Sequence, residues 1–133
     1  MNDKIIIYYE SLTGNVEKFI SKMKSYEDFE FIKISSETIV EKEGHLITFT
    51  TGFGQISKNT DFFLTNNENY KKIKTVCSSG NMNWGKNFAK AGELINEKYG
   101  IYFIFKFELS GTLQDVKEYT RKIKKYEKER ECN

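Results

Sequence analysis

The sequence predicts an α/β fold: a parallel sheet of about five strands, covered on both faces by helices. Three observations carry this. Segments of strand character alternate with segments of helical period along the whole chain. The strand-like runs are short and nearly continuously apolar, as in strands buried on both faces. The 133 residues include no proline and nothing that resembles a hinge, linker or repeat, so residues 1–133 are expected to form one domain. Parallel strands need crossover connections, and these are right-handed, which leaves few topologies.

The elements follow in order. Ile5 to Tyr9 reads as a buried strand. Val16, Phe19, Ile20 and Met23 stand at i, i+3, i+4 and i+7, one face of a helix. Phe29 to Ile34 is a second, weaker strand, and His45 to Thr51 a third, rich in β-branched and aromatic residues. Ser57 caps a short helix ending near Asn67. Ile73 to Ser78 is the fourth strand. Trp84 to Tyr99 is expected as one helix with Phe88, Ala91 and Ile95 on its inner face, closed by Gly100. Ile101 to Leu109 is the fifth strand. Leu113 to about Glu129 is the last helix, with Val116, Tyr119, Thr120 and Ile123 inward and Ser110-Gly111-Thr112 as its cap.

Composition excludes several classes. The formal net charge of +2 is too small to argue for nucleic acid, and most of the excess lies on the solvated face of the last helix. No stretch approaches the roughly 20 apolar residues that span a bilayer, and no signal-peptide pattern is present, so a cytoplasmic protein is expected. One histidine (His45) and two separated cysteines (Cys77 and Cys132) offer no metal cluster and no redox pair.

In a sheet of this kind ligands bind at the carboxyl ends of the strands, near the point where strand order reverses. The loop after the first strand is Ser11-Leu12-Thr13-Gly14-Asn15-Val16. A strand, a loop of hydroxyl, glycine and amide residues, and a helix start make a phosphate cradle of backbone N–H groups. It lacks the lysine of a Walker A loop, and neutral donors suit a terminal monophosphate. The loop after the third strand is Thr50-Thr51-Gly52-Phe53-Gly54, where two glycines around one aromatic let the backbone approach a flat ligand and turn a peptide over. It is not a dinucleotide fingerprint, which would follow the first strand with an acidic residue about 20 positions on. Nor is it the phosphoacceptor site of a receiver domain, which needs an aspartate here. The loop after the fourth strand, Ser79-Gly80-Asn81-Met82-Asn83-Trp84-Gly85, offers backbone donors, two amides and the only tryptophan. A monophosphate cradle with two glycine loops, each bearing an aromatic, fits flavin mononucleotide (FMN): phosphate on the first loop, ring between the others.

These three segments, with Phe107-Glu108-Leu109-Ser110-Gly111-Thr112, resemble in order and spacing the flavodoxin-like NrdI family. The first is shared loosely with ordinary flavodoxins; the third and fourth segments are much more specific. The resemblance implies a flavodoxin-like three-layer sandwich with strand order 2-1-3-4-5 and bound FMN. It implies a redox-active accessory protein rather than a stand-alone metabolic enzyme. In that role the reduced flavin converts dioxygen to superoxide or peroxide. The oxidant serves the metal-bearing small subunit of class Ib ribonucleotide reductase, whose dimanganese site forms a tyrosyl radical. The flavin carries the electrons, so no side chain is expected to be catalytic, and Gly52, Phe53 and Gly54 are expected as the redox-responsive loop. The reductant stays open. The alternative is a flavodoxin that only carries single electrons.

One feature separates the two. Electron-carrier flavodoxins surround the flavin with carboxylates, whereas neither Thr50 to Thr60 nor Ser78 to Gly92 contains Asp or Glu, and Lys58, Lys86 and Lys90 are present. Two unit charges about 6 Å apart at an effective dielectric near 20 interact by about 3 kcal/mol. Removing several such repulsions shifts a one-electron potential by on the order of 100 mV.

Overall fold

The computed structural model describes residues 4–52 and 54–131. Its parallel strands are β1 (Ile5–Tyr9), β2 (Phe29–Lys33), β3 (Gly44–Thr51), β5 (Ile73–Gly80) and β6 (Tyr102–Glu108). They are ordered β2-β1-β3-β5-β6, and the two-residue β4 (Gln55–Ile56) pairs antiparallel with the end of β3. Without β4 this is the expected order 2-1-3-4-5. The extra strand is a departure, and it arises because β3 outruns its neighbours. Pairing with β1 ends at Tyr9↔Ile47 and with β5 at Phe49↔Ser79, so Thr50 and Thr51 take β4 as their partner.

The helices are α1 (Asn15–Met23), α2 (Lys58–Thr65), α3 (Lys90–Tyr99) and α4 (Leu113–Glu131). Successive residues of a strand point to opposite faces, and both faces here are covered. Ile7, Ile47 and Cys77 pack against Val16, Phe19 and Met23 of α1 and Val116, Tyr119 and Ile123 of α4. Their neighbours Ile6, Leu46 and Val76 pack against Phe63 and Leu64 of α2 and Ile95 of α3. The helical face expected from Val16 to Met23 is the buried face of α1, and the inward residues expected in the last helix are those α4 buries. Ser57 caps α2, its hydroxyl accepting from the Thr60 N–H. Thr112 and Asp115 form a reciprocal cap on α4, each side chain accepting the other's backbone N–H.

The helix expected over Trp84 to Tyr99 is broken. Met82–Asn87 forms 3-10 turns interrupted at Gly85 (φ 57, ψ −124), and α3 starts only at Lys90, after Ala89 in a left-handed conformation (φ 54). The buried Ser78 hydroxyl donates to the Ala89 carbonyl at 2.7 Å and accepts from the Gly92 N–H at 3.2 Å. This tertiary tie fixes the break, and helical periodicity alone does not register it.

The histidine lies in the sheet. His45 is fully buried, with Nδ1 2.8 Å from the Thr75 hydroxyl and Nε2 2.7 Å from Glu127 Oε2, while Lys74 also pairs with Glu127. An ionised carboxylate only accepts, so the Nε2 proton points at Glu127, and the neutral ring accepts from Thr75. Burial pushes the His45 pKa below its usual 6.5, and the His45 and Lys74 hydrogen bonds hold Glu127 down at about 2 against the usual 4.5. Both groups bind protons more weakly folded than unfolded. Their contribution is therefore complete above pH 6.5 and is lost as pH falls, first through the histidine's window and then between 4.5 and about 2. Glu127→Gln should cost about 1–2 kcal/mol at pH 7, after allowance for partial solvent screening, and should flatten the acid limb. Urea denaturation from pH 2 to 8 measures this; an unchanged acid limb would contradict it.

Candidate functional site

The carboxyl ends of β1, β3, β5 and β6 bring the predicted loops together around one groove of about 310 Å3. Its phosphate-loop side is Ser11, Leu12, Thr13, Asn15 and Val16; Thr50, Thr51 and Gly52 form a second side, and Ser79, Gly80 and Asn81 a third. The groove lies where the chain leaves β1 outward to β2 and returns inward to β3, the point at which strand order reverses. Gly14, Gly54, Asn83 and Gly85 flank these segments without lining the groove. Phe53 and the side chain of Trp84 lie outside the described residues.

The first loop has the form of an anion cradle. Gly14 enters α1 in a left-handed conformation (φ 92), and its N–H donates to Ser11 Oγ at 3.1 Å. The Ser11 hydroxyl proton remains available to a ligand. The helix's own hydrogen bonding starts with the Lys18 N–H on Gly14 O. The N–H groups of Asn15, Val16 and Glu17 therefore have no carbonyl a turn earlier in the helix.

The glycine hairpin stands on a fixed stem. Thr50 pairs with Ile56 and Thr51 with Gln55, which fixes the chain on both sides of Gly52 and Gly54. Both glycines have positive φ, 57 at Gly52 and 89 at Gly54. Thr50 is buried, and its hydroxyl accepts the Ala91 N–H, tying the hairpin to the start of α3. On the third side Asn81 caps the following 3-10 turn, its Oδ1 accepting from the Asn83 N–H at 2.9 Å. Gly80 is held against the α3 start, where a Cβ would lie 2.4 Å from Ala89 N.

Two lining residues fall outside the sequence assignment, Phe49 and Leu109. Phe49 ends the apolar alternation of β3 and reads there as core. Leu109 takes a left-handed conformation (φ 52) as its N–H donates to Gly80 O. In sequence it reads as the last residue of the fifth strand, just before the cap Ser110-Gly111-Thr112.

The loops also acquire carboxylates that a scan of the loop residues does not find. Glu10, the residue before the cradle, accepts hydroxyl hydrogen bonds from Ser57 (2.7 Å) and Thr60. Glu108, at the end of β6, accepts the Met82 N–H at 3.2 Å. Neither lines the groove, but the expectation of a carboxylate-free surround is corrected to this extent. A larger depression of about 870 Å3 lies at the opposite edge of the sheet, where lysines and carboxylates alternate around His45. It shares no residue with the predicted loops. Among the described residues no three His, Cys, Asp or Glu side chains are grouped to hold a metal ion, and no helix is long and apolar enough to cross a membrane.

Sheet order and groove define a flavodoxin-like protein. The fold matches oxidised flavodoxin 2 from Bacillus cereus with a TM-score of 0.67 at 19% identity, covering 92% of this chain and 99% of that one. It also matches a short-chain flavodoxin associated with a non-canonical PDU bacterial microcompartment, with a TM-score of 0.65 at 15% identity over 93% and 98% of the two chains. A family described as "NrdI Flavodoxin like" matches residues 7–121, and the chain belongs to that family. It is 39% identical over 120 residues to the SPbeta prophage-derived protein NrdI of Bacillus subtilis, covering 90% of this chain and 92% of that one. It is 40% identical over 121 residues to protein NrdI of Bacillus licheniformis, covering 91% and 88%. Membership implies a flavin cofactor and an association with ribonucleotide reductase.

Proposed function

We propose that the groove binds FMN and that the protein supplies an oxidant to the metal-bearing small subunit of a class Ib ribonucleotide reductase. The observation that carries this is the meeting, at the strand-order reversal, of a neutral-donor cradle with two glycine-bearing loops around one groove. The donor set fits the cofactor: hydroxyls and free helix N–H groups for a phosphate, backbone and amide groups for a ring edge. Ser11 and Thr13 would hold the phosphate with the N–H groups of Leu12, Asn15 and Val16, while Gly14, whose N–H is taken by Ser11 Oγ, shapes the turn into α1. Thr50, Thr51 and Gly52 would meet the ring on one side and Ser79, Gly80 and Asn81 on the other; Phe53, Gly54, Asn83, Trp84 and Gly85, in the same loops, are assigned to it from the sequence alone. When bound and reduced, the flavin would convert dioxygen to superoxide or peroxide, from which the partner assembles its dimanganese–tyrosyl radical cofactor. Gly52 and Gly54 give the ring loop freedom to reorient a peptide when the ligand's hydrogen-bonding edge changes. Family membership and the NrdI relatives support the partner, and its small subunit and the reductant would be met in the cytoplasm.

Aerobic reconstitution tests this. Reduced protein and the manganese-loaded small subunit are mixed with dioxygen, and the tyrosyl radical is followed by electron paramagnetic resonance. Radical is expected only when all three are present. No radical, with efficient single-electron delivery to an acceptor protein, would favour the electron-carrier reading instead.

A further inference from the structure

Glu10 stands immediately before the cradle, at the junction of its two halves. Its backbone N–H donates to Ile47 O at 3.1 Å, fixing it beside β3. Its side chain crosses to the other arm of the groove. Oε1 accepts from Ser57 Oγ at 2.7 Å and from the Thr60 hydroxyl. Ser57 follows β4 directly and caps α2, so it stands at the foot of the glycine hairpin. The Ser57 oxygen accepts from the Thr60 N–H while its proton goes to Glu10. The Thr60 proton also goes to Glu10, so the Thr48 hydroxyl, 2.9 Å away, must donate to Thr60. Thr48 and Thr60 are fully buried, and Ser57 is 6% exposed. Thr48 precedes the groove residue Thr50 by two positions on β3, on the same face of the strand.

One carboxylate oxygen thus orients three hydroxyls on two elements. Charge-assisted bonds of this kind are about twice as strong as neutral ones. The first-turn N–H groups of α2 add a favourable field for the negative charge.

We propose that Glu10 is a positioning residue of the flavin site, bracing the phosphate loop against the foot of the Gly52–Gly54 hairpin through Ser57 and Thr60. The inference rests on the flavin reading above. With the brace intact, a ligand that reaches both loops meets them at a fixed separation. Without it, the cradle and the hairpin each persist, but their spacing must be set when the ligand binds, which weakens only a ligand that spans both.

The test compares FMN, which carries the phosphate, with riboflavin, which does not. Dissociation constants are taken by quenching of flavin fluorescence for the wild type, Glu10→Ala and Glu10→Gln. The preference for FMN over riboflavin is expected to fall about tenfold in Glu10→Ala. A smaller fall, about threefold, is expected in Glu10→Gln, whose amide oxygen still accepts but carries no charge. A merely structural role would weaken both flavins alike and leave the ratio unchanged. If Glu10→Ala does not fold, Glu10→Gln decides, and a wild-type ratio there overturns the inference. Wild-type protein that binds neither flavin overturns the flavin reading as well. A wild type that binds FMN, with an unchanged ratio in both variants, overturns this inference alone.

Discussion

Gly80→Ala should lower stability by about 2 kcal/mol and reduce flavin uptake sharply. The added Cβ would meet Ala89 N at 2.4 Å and Ala89 Cα at 3.0 Å, backbone atoms rather than a side chain that can turn aside. Ala89 has no easy retreat: it is fully buried, left-handed, and its carbonyl accepts from the Ser78 hydroxyl. The strain must be relieved by moving the start of α3 or the end of β5, and overpacking of this kind costs about 1–3 kcal/mol. Either movement displaces a wall of the groove. Gly100→Ala is the comparison, because a Cβ there meets nothing within 4 Å and only the positive φ of 74 opposes it. That variant should lose about 1 kcal/mol and keep its flavin. Denaturant midpoints and FMN titration measure both, and equal losses in the two variants would refute the steric argument.

The second large effect concerns redox balance. The two one-electron potentials of the bound flavin should lie closer together than in an electron-carrier flavodoxin, by on the order of 100 mV. The loops from Thr50 to Thr60 and from Ser78 to Gly92 contribute no carboxylate. The two that arrive from elsewhere are engaged: Glu10 accepts two hydroxyl bonds and Glu108 a backbone N–H. They reduce the effect without reversing it, because neither faces the groove. Spectroelectrochemistry gives both potentials, and a wide gap with a very low second potential would sink the argument. The same measurement on Gly52→Val and Gly54→Val reads the hairpin. Both positions have positive φ, so a β-branched residue opposes the turn, and the gap should change. Unchanged potentials in both variants would remove the loop from any redox role.

The legible parts of the molecule were those governed by local pattern. The α1 face, the Ser57 cap and the alternation of strand and helix depend on residues within a turn or two of one another. The three groove loops were legible for a related reason: each strand's carboxyl end adjoins its loop in sequence, and a parallel sheet puts alternate ends on one edge. What escaped depends on partners far along the chain. The break at Ala89 is set by Ser78, eleven residues earlier. The Glu10 brace joins residues 47 and 50 positions apart. The strand β4 exists because β3 runs on past the end of its pairing with β1 and β5, a fact of register. Leu109 entered the groove through a backbone turn that a leucine gives no reason to expect.

The short stem beneath the glycine hairpin has a consequence for how the turn can be redesigned. Thr50 and Thr51 are matched to Gln55 and Ile56, beyond the end of the pairing with β1 and β5. A change of turn length is therefore absorbed above the stem and does not slide β3 against the sheet. Loop closure penalises added residues only weakly, by about 0.6 kcal/mol per doubling of length. The turn behaves as an exchangeable cassette: longer or shorter versions could be grafted between Thr51 and Gln55 to retune the ligand's surroundings while the scaffold stays in register.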